Sequence, residues 1–94
     1  MATKERIADF KLGDVRITSN ATAKICGDDI FTSFVRYTAG DWGEMCDEDR
    51  QANDEALETG SRILATYTDR HGLKFWILTE GDRSATTILL PGDY

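Results

Sequence analysis

Histidine and proline each occur once in this sequence, cysteine occurs twice, and the acidic side chains outnumber the basic ones. Each shortage removes a class of protein. The single histidine, His71, stands in Asp69-Arg70-His71-Gly72, a stretch that reads as a hairpin turn. A Ser-His-Asp or Cys-His centre needs a base beside its nucleophile and a third group orienting that base, and neither cysteine has such a context. Cys26 and Cys46 have no second pair of cysteines, which excludes a zinc framework and a CxxC redox motif. They are expected to be reduced thiols, at least one of them buried. The 8 glycines are dispersed at element ends, so no phosphate-cradling loop is present. No apolar run approaches the roughly 20 residues that cross a bilayer. The opening MATKERIADFKLGD scatters its charges and has no apolar core of a secretory signal, so a cytoplasmic protein is expected.

The formal net charge is -6 and is unevenly spread. Residues 1–26 carry five basic and three acidic side chains, residues 27–60 two and ten, and residues 61–94 four of each. An acidic chain repels nucleic acid, whose capture needs a basic patch, so direct nucleic-acid binding is disfavoured. An acidic middle instead attracts a basic partner and speeds its capture.

The stretch Arg62 to Leu90 organises the chain. Arg-Ile-Leu-Ala-Thr-Tyr-Thr, Leu-Lys-Phe-Trp-Ile-Leu-Thr and Ala-Thr-Thr-Ile-Leu-Leu are short, rich in β-branched and aromatic residues, and separated by two polar breaks containing Gly72 and Gly81. They read as a three-stranded antiparallel meander, and Pro91 ends the last strand. In the first strand Ile63, Ala65 and Tyr67 share one face. In the second, Leu73, Phe75 and Ile77 oppose Lys74, Trp76 and Leu78. In the third, Ala85, Thr87 and Leu89 oppose Thr86, Ile88 and Leu90. Both faces of the last two strands therefore carry large apolar groups, and an N-terminal cover or a contact patch around Trp76 is expected, with a homodimer as one outcome. Tyr94 is placed to fold back.

Upstream, residues 1–6 read as a frayed end. Val15-Arg16-Ile17-Thr18 alternates as a short extra strand would, at a sheet edge or in a ribbon with Phe10-Lys11-Leu12. Ser19 or Asn20 caps a short helix over 21–25 that ends at Gly27. Asp28 or Asp29 caps a second through Ile30, Phe34 and Tyr37, with a strand as the alternative because of its Thr, Val and Phe content. Asp41 to Cys46 is a compact loop in which Trp42 plugs the core and finds a partner for its indole N–H. Asp47 caps a third helix from Arg50 to about Thr59, closed by Gly60, with Ala52, Ala56 and Leu57 as its apolar stripe and Gln51, Asp54, Glu55 and Glu58 facing water. The whole, residues 1–94, is expected to form one α+β domain: two or three short helices on a three-stranded antiparallel meander, with the N-terminal strand as an addition.

Three clusters invite a chemical reading. Counted from Asp47, a calcium loop would need an acidic fifth residue and a glycine sixth, and the sequence has Gln51 and Ala52 there, although Glu58 is twelfth. Glu80, Asp82 and Asp93 could converge as a carboxylate metal site of a hydrolase; Glu80-Gly81-Asp82-Arg83 reads more simply as a turn in which Asp82 accepts from local backbone and Arg83 pairs nearby. The remaining feature is the acidic helix, Asp47, Glu48, Asp49, Asp54, Glu55 and Glu58. It is either a solvated face or a docking surface for a basic protein that ordinarily holds nucleic acid, its carboxylates spaced much as phosphates are. Trp42 or Trp76 would supply the desolvated anchor. No enzyme, cofactor or metal is expected.

Gly40-Asp41-Trp42-Gly43-Glu44, then Asp47-x-Asp49-x-x-x-Asn53-x-x-Ala56-Leu57, Arg62-Ile63-Leu64-x-x-Tyr67 and the run Lys74 to Pro91 form a combination that resembles a family of small bacterial proteins carried on plasmids and integrating elements. The resemblance covers about Phe10 to Tyr94 and is strongest after Gly40. Members carry the labels "plasmid-related" or "type I restriction endonuclease subunit M". A methyltransferase is excluded here, because the chain is too short for a doubly wound cofactor-binding sheet and no glycine motif follows a strand. The resemblance implies a mobile-element setting. Small acidic proteins in that setting often block a host defence complex, as anti-CRISPR proteins do. The expected partner is thus a CRISPR effector or another nuclease complex with a basic surface, with a homodimeric accessory module of plasmid biology as the alternative.

Overall fold

The structure, a computed structural model, describes residues 10–94. The frayed end expected at 1–6, and Ile7-Ala8-Asp9 after it, lie outside the described residues. Strand β1 (Asp14–Ile17) leads into helices α1 (Ser19–Lys24), α2 (Gly27–Thr38) and α3 (Asp47–Thr59). Strands β2 (Ile63–Thr68), β3 (Lys74–Thr79) and β4 (Ala85–Leu89) follow, and a 3-10 turn (Pro91–Asp93) closes the chain. The fold is α+β. The three apolar runs are consecutive antiparallel strands, with Ala65 opposite Ile77 and Ile77 opposite Ile88.

The extra N-terminal strand is real and sits at the sheet edge, but it makes the sheet mixed. The order is β1-β4-β3-β2, and β1 runs parallel to β4 with Val15 beside Thr86 and Ile17 beside Ile88. A parallel neighbour needs a long crossover rather than a hairpin, and the three helices between β1 and β2 provide it. Sequence alternation reveals a strand but not its direction, so this part of the topology had no local signal.

The helices cover one face. Ile63, Ala65, Tyr67, Phe75, Ile77 and Ile88 from the sheet pack with Ala21, Ile25, Tyr37, Trp42 and Ala56. Through that core runs a chain of hydroxyls. Thr86 Oγ1 donates to the carbonyl of Leu12 (2.7 Å). Its one hydrogen is thereby committed, so Thr79 donates to Thr86 (2.8 Å) and Tyr37 donates to Thr79 (2.6 Å). Three buried hydroxyls are satisfied by one another and by one backbone group, as burial demands. At the far end of α2, Asp29 takes a bidentate pair from Arg70 (3.0 and 3.1 Å) and also accepts from the Arg70 amide (2.9 Å). These bonds from Arg70 hold the Asp29 carboxyl below the usual carboxylate range and dock α2 on the β2–β3 hairpin.

The other face carries the rows Thr66–Trp76–Leu89 and Leu64–Leu78–Thr87. Leu78 and Leu89 are buried and Trp76 is half-buried. Tyr94 does fold back, its ring edge-on to Trp76 at 5.8 Å, and Arg62 donates to its hydroxyl (2.6 Å). The turn that delivers Tyr94 is anchored by Asp93, which accepts from Thr18 and Asn20 (2.7 Å each) and from the Leu90 amide (3.1 Å).

Several local expectations are corrected. Thr18, not Ser19 or Asn20, caps α1, its side chain accepting from the Ala21 amide. Cys26 stands at the N-cap of α2, so Asp28 and Asp29 lie inside its first turn. Neither cysteine is fully buried: Cys26 is half-buried and Cys46 is exposed, both as free thiols. The element termini place them where backbone, not volume, is in demand.

Candidate protein-binding surface

Helix α3 begins one residue earlier than a cap at Asp47 implies. Asp47 is its first residue rather than its cap, and Cys46 at the N-cap makes no side-chain bond. Asp47, Glu48 and Asp49 occupy the first turn, where the helix dipole favours negative charge. Gly60, in the left-handed region at φ 79°, ends the helix as expected. The last turn contains no basic residue of its own. Arg83 supplies one from the β3–β4 turn, donating to the carbonyls of Ala56 and Ser61 (2.7 Å each).

The buried side of α3 is not the alanine stripe that the sequence suggests. Ala52 is exposed, and Asn53 is buried with Ala56. Asn53 donates to the Leu64 carbonyl (2.8 Å) and accepts from the Leu64 amide (3.3 Å), so its amide takes the place of a neighbouring strand along the outer edge of β2. One step along the same edge, the Thr66 amide donates to the Trp42 carbonyl (3.3 Å) and the Glu44 amide donates to the Thr66 carbonyl (2.7 Å). The loop expected between α2 and α3 is thus a strap bound to β2, with Gly43 bridging to Thr66. Asp41 braces the strap. It accepts from Arg36 (2.8 and 3.2 Å) and from the Gly43 amide (3.1 Å), and the Arg36 bonds hold its carboxyl low. Tyr67 donates to the Asp41 carbonyl (2.6 Å).

Of the residues singled out for partner binding, Trp42 is excluded as an anchor. It is 3% exposed, packs against Tyr37 and Phe10, and donates its indole N–H to Asp54 (2.9 Å). It is the plug that the sequence suggested, and Asp54 is the partner for its N–H. Asp54 is therefore exposed but engaged. Trp76 lies on the face turned away from the helices and is half covered by Tyr94. The structure does not bring it beside α3.

The other carboxylates point outward. Asp47, Glu48, Asp49, Glu55 and Glu58 are all exposed. Among the described residues Asp47 meets only Arg50 (3.9 Å), Glu55 meets only Gln51 (3.4 Å), and Glu48, Asp49 and Glu58 meet no cation. From Glu48 to Glu58 the charges extend along about 15 Å of helix axis. Asp47 to Glu58, the span a calcium loop would occupy, is continuous helix. The carboxylate hydrolase site is not assembled: Glu80 and Asp82 stand at the start of β4 and Asp93 beyond its end. Asp82 accepts from the Ser84 amide (3.0 Å), as the turn reading requires. His71 is exposed in its hairpin, where its amide and that of Leu73 donate to Asp69 (2.9 Å each).

No family model matches this sequence, and no curated protein or solved structure matches it either.

Proposed function

We propose that the protein is a non-enzymatic binding module that presents the acidic outer face of α3 to a basic protein surface. The observation that carries this reading is the set of outward carboxylates, Glu48, Asp49 and Glu58 above all, that meet no cation among the described residues. A helix that needs only solubility is served by mixed charges, whereas an unbalanced acidic face costs self-repulsion and steers a cationic partner. The support beneath it is rigid. Asn53 locks the helix to β2, and Trp42 and Asp54 lock its flank to the strap, so little ordering entropy is lost on docking.

The partner class follows from charge. A surface that ordinarily holds phosphates is the commonest strongly basic protein surface, and a nuclease complex of host defence has one. The resemblance to mobile-element proteins selects a CRISPR effector or a comparable complex in the cytoplasm as the first to test, with inhibition by occupation of its nucleic-acid groove. The test isolates the partner from cells carrying such a system and compares association rates of the wild type and a Glu48→Gln, Asp49→Asn, Glu55→Gln, Glu58→Gln variant. Asp54 is left intact because Trp42 depends on it. Capture by the variant is expected to be slower by roughly tenfold or more at low salt, with the difference shrinking at high salt. Equal rates at low salt refute the role of the α3 face.

A further inference from the structure

The two edges of the sheet are treated in opposite ways. At β2 the strap and Asn53 occupy the outer backbone groups of Thr66 and Leu64. At β1 no strand is paired on the outer side among the described residues. The amide of Asp14 donates to the carbonyl of Ser84, just before β4, and that of Thr18 to Ile88 of β4 (3.0 Å each). In a parallel ladder alternate residues bond to the same neighbour, so Asp14, Arg16 and Thr18 bond inward while Val15 and Ile17 direct N–H and C=O outward. Those two residues are 52% and 41% exposed, on a β-branched segment with no proline or lysine to discourage pairing.

We propose that this edge pairs with the same edge of a second copy, β1 antiparallel to β1 about a two-fold axis through Val15. The charges choose both the occupant and the register. With the axis at Val15, the two valines form a hydrogen-bonded pair that exchanges both backbone bonds. Asp14 of each copy then stands opposite Arg16 of the other in the closer, non-hydrogen-bonded pairing. Moving the axis to Arg16 sets like charges opposite each other, and moving it to Ile17 takes Asp14 out of the pairing altogether. Asp14 and Arg16 are free to serve: their side chains are 79% and 65% exposed and make only a 3.5 Å contact with each other within one chain. The four-residue sequence Asp-Val-Arg-Ile is thus self-complementary in the one orientation that an edge strand offers to its own copy. The resulting eight-stranded sheet keeps both helical layers on one side and both α3 helices at its far ends. The inference does not depend on the acidic face being functional.

Sedimentation equilibrium of the full chain across the micromolar range tests it. The wild type is expected to dimerise. Arg16→Asp, which sets Asp14 against an aspartate twice, is expected to weaken the dimer by roughly tenfold, and the exchange Asp14→Arg with Arg16→Asp to restore it. Val15→Pro removes only an outward N–H, leaves the β4 ladder intact and is expected to yield a folded monomer by circular dichroism. A wild type that stays monomeric at the highest concentration overturns the proposal. So does a dimer indifferent to both Val15→Pro and the charge reversal, which would place the interface elsewhere, for example at Trp76.

Discussion

Tyr37, Thr79 and Thr86 hold a buried polar chain in the core, and its direction is set by a single carbonyl, that of Leu12. Burial pushes the Tyr37 phenol up to about 12. Burial, with the nearby Asp41 carboxylate adding to it, also drives the Tyr67 phenol up. The consequence for stability has a definite sign. In the unfolded chain a tyrosine loses its proton near pH 10, whereas in the folded chain it keeps it. Between those two values the native state binds more protons, so stability is fully present below pH 10 and falls as pH rises toward 12. Tyr37 alone accounts for about 2–3 kcal/mol of that loss. Urea unfolding from pH 9 upward is expected to show the decline, and Tyr37→Phe to remove Tyr37's share of it, leaving that of Tyr67, while costing about 1 kcal/mol at neutral pH. A wild type equally stable at both ends of the range refutes it. No sequence signal reports such a chain. Thr is common in strands whether its hydroxyl is used or not, and although Thr79 and Thr86 are neighbours across one hairpin, Tyr37 lies 42 residues from Thr79 and Leu12 lies 74 from Thr86.

At the scale of elements, the sheet edge explains what was legible and what was not. The three meander strands, the hairpin with Gly72 at positive φ, and the end of α3 at Gly60 follow from local chemistry and are found as expected. Asn53 was invisible for the opposite reason. An asparagine in a polar helix reads as a surface residue until the strand it serves is known, and Ala52 reads as core although it faces solvent. The burial of Trp42 and its need for an acceptor are legible locally, but nothing in the sequence marks Asp54, on the water-facing side of α3, as that acceptor. The strap yields a prediction of its own. Gly43 has φ 79°, and a Cβ added there would stand 2.0 Å from the Thr66 carbonyl oxygen. Gly43→Ala must therefore push the strap off β2, at roughly 2 kcal/mol or more. Hydrogen exchange is expected to accelerate at the Glu44 and Thr66 amides, which bond across this junction, well before it does at β3. Unchanged protection there would mean that the strap contributes nothing to closing the edge.

On the scale of the whole molecule, the strand order separates the two surfaces. Helix α3 packs against β2 at one end of the sheet, and β1 is at the other. A dimer through β1 therefore leaves both acidic faces outermost and unobstructed, and binding becomes bivalent. Bivalency and net charge make opposite predictions for one variant. Arg16→Asp lowers the formal charge of each chain below the wild-type value of -6, so charge alone predicts slower release from a cationic surface. Loss of the dimer predicts faster release, because the second contact is no longer held at high effective concentration. On a polylysine-coated sensor at a protein concentration that favours the dimer, Arg16→Asp is expected to dissociate roughly tenfold faster or more than the wild type. Val15→Pro, which alters no charge, is expected to match it. The Asp14→Arg, Arg16→Asp exchange restores both the wild-type charge and the pairing, and its release should slow again. Release of Arg16→Asp that is slower than wild type would show that charge acts without the dimer and that the two ends of the sheet work independently.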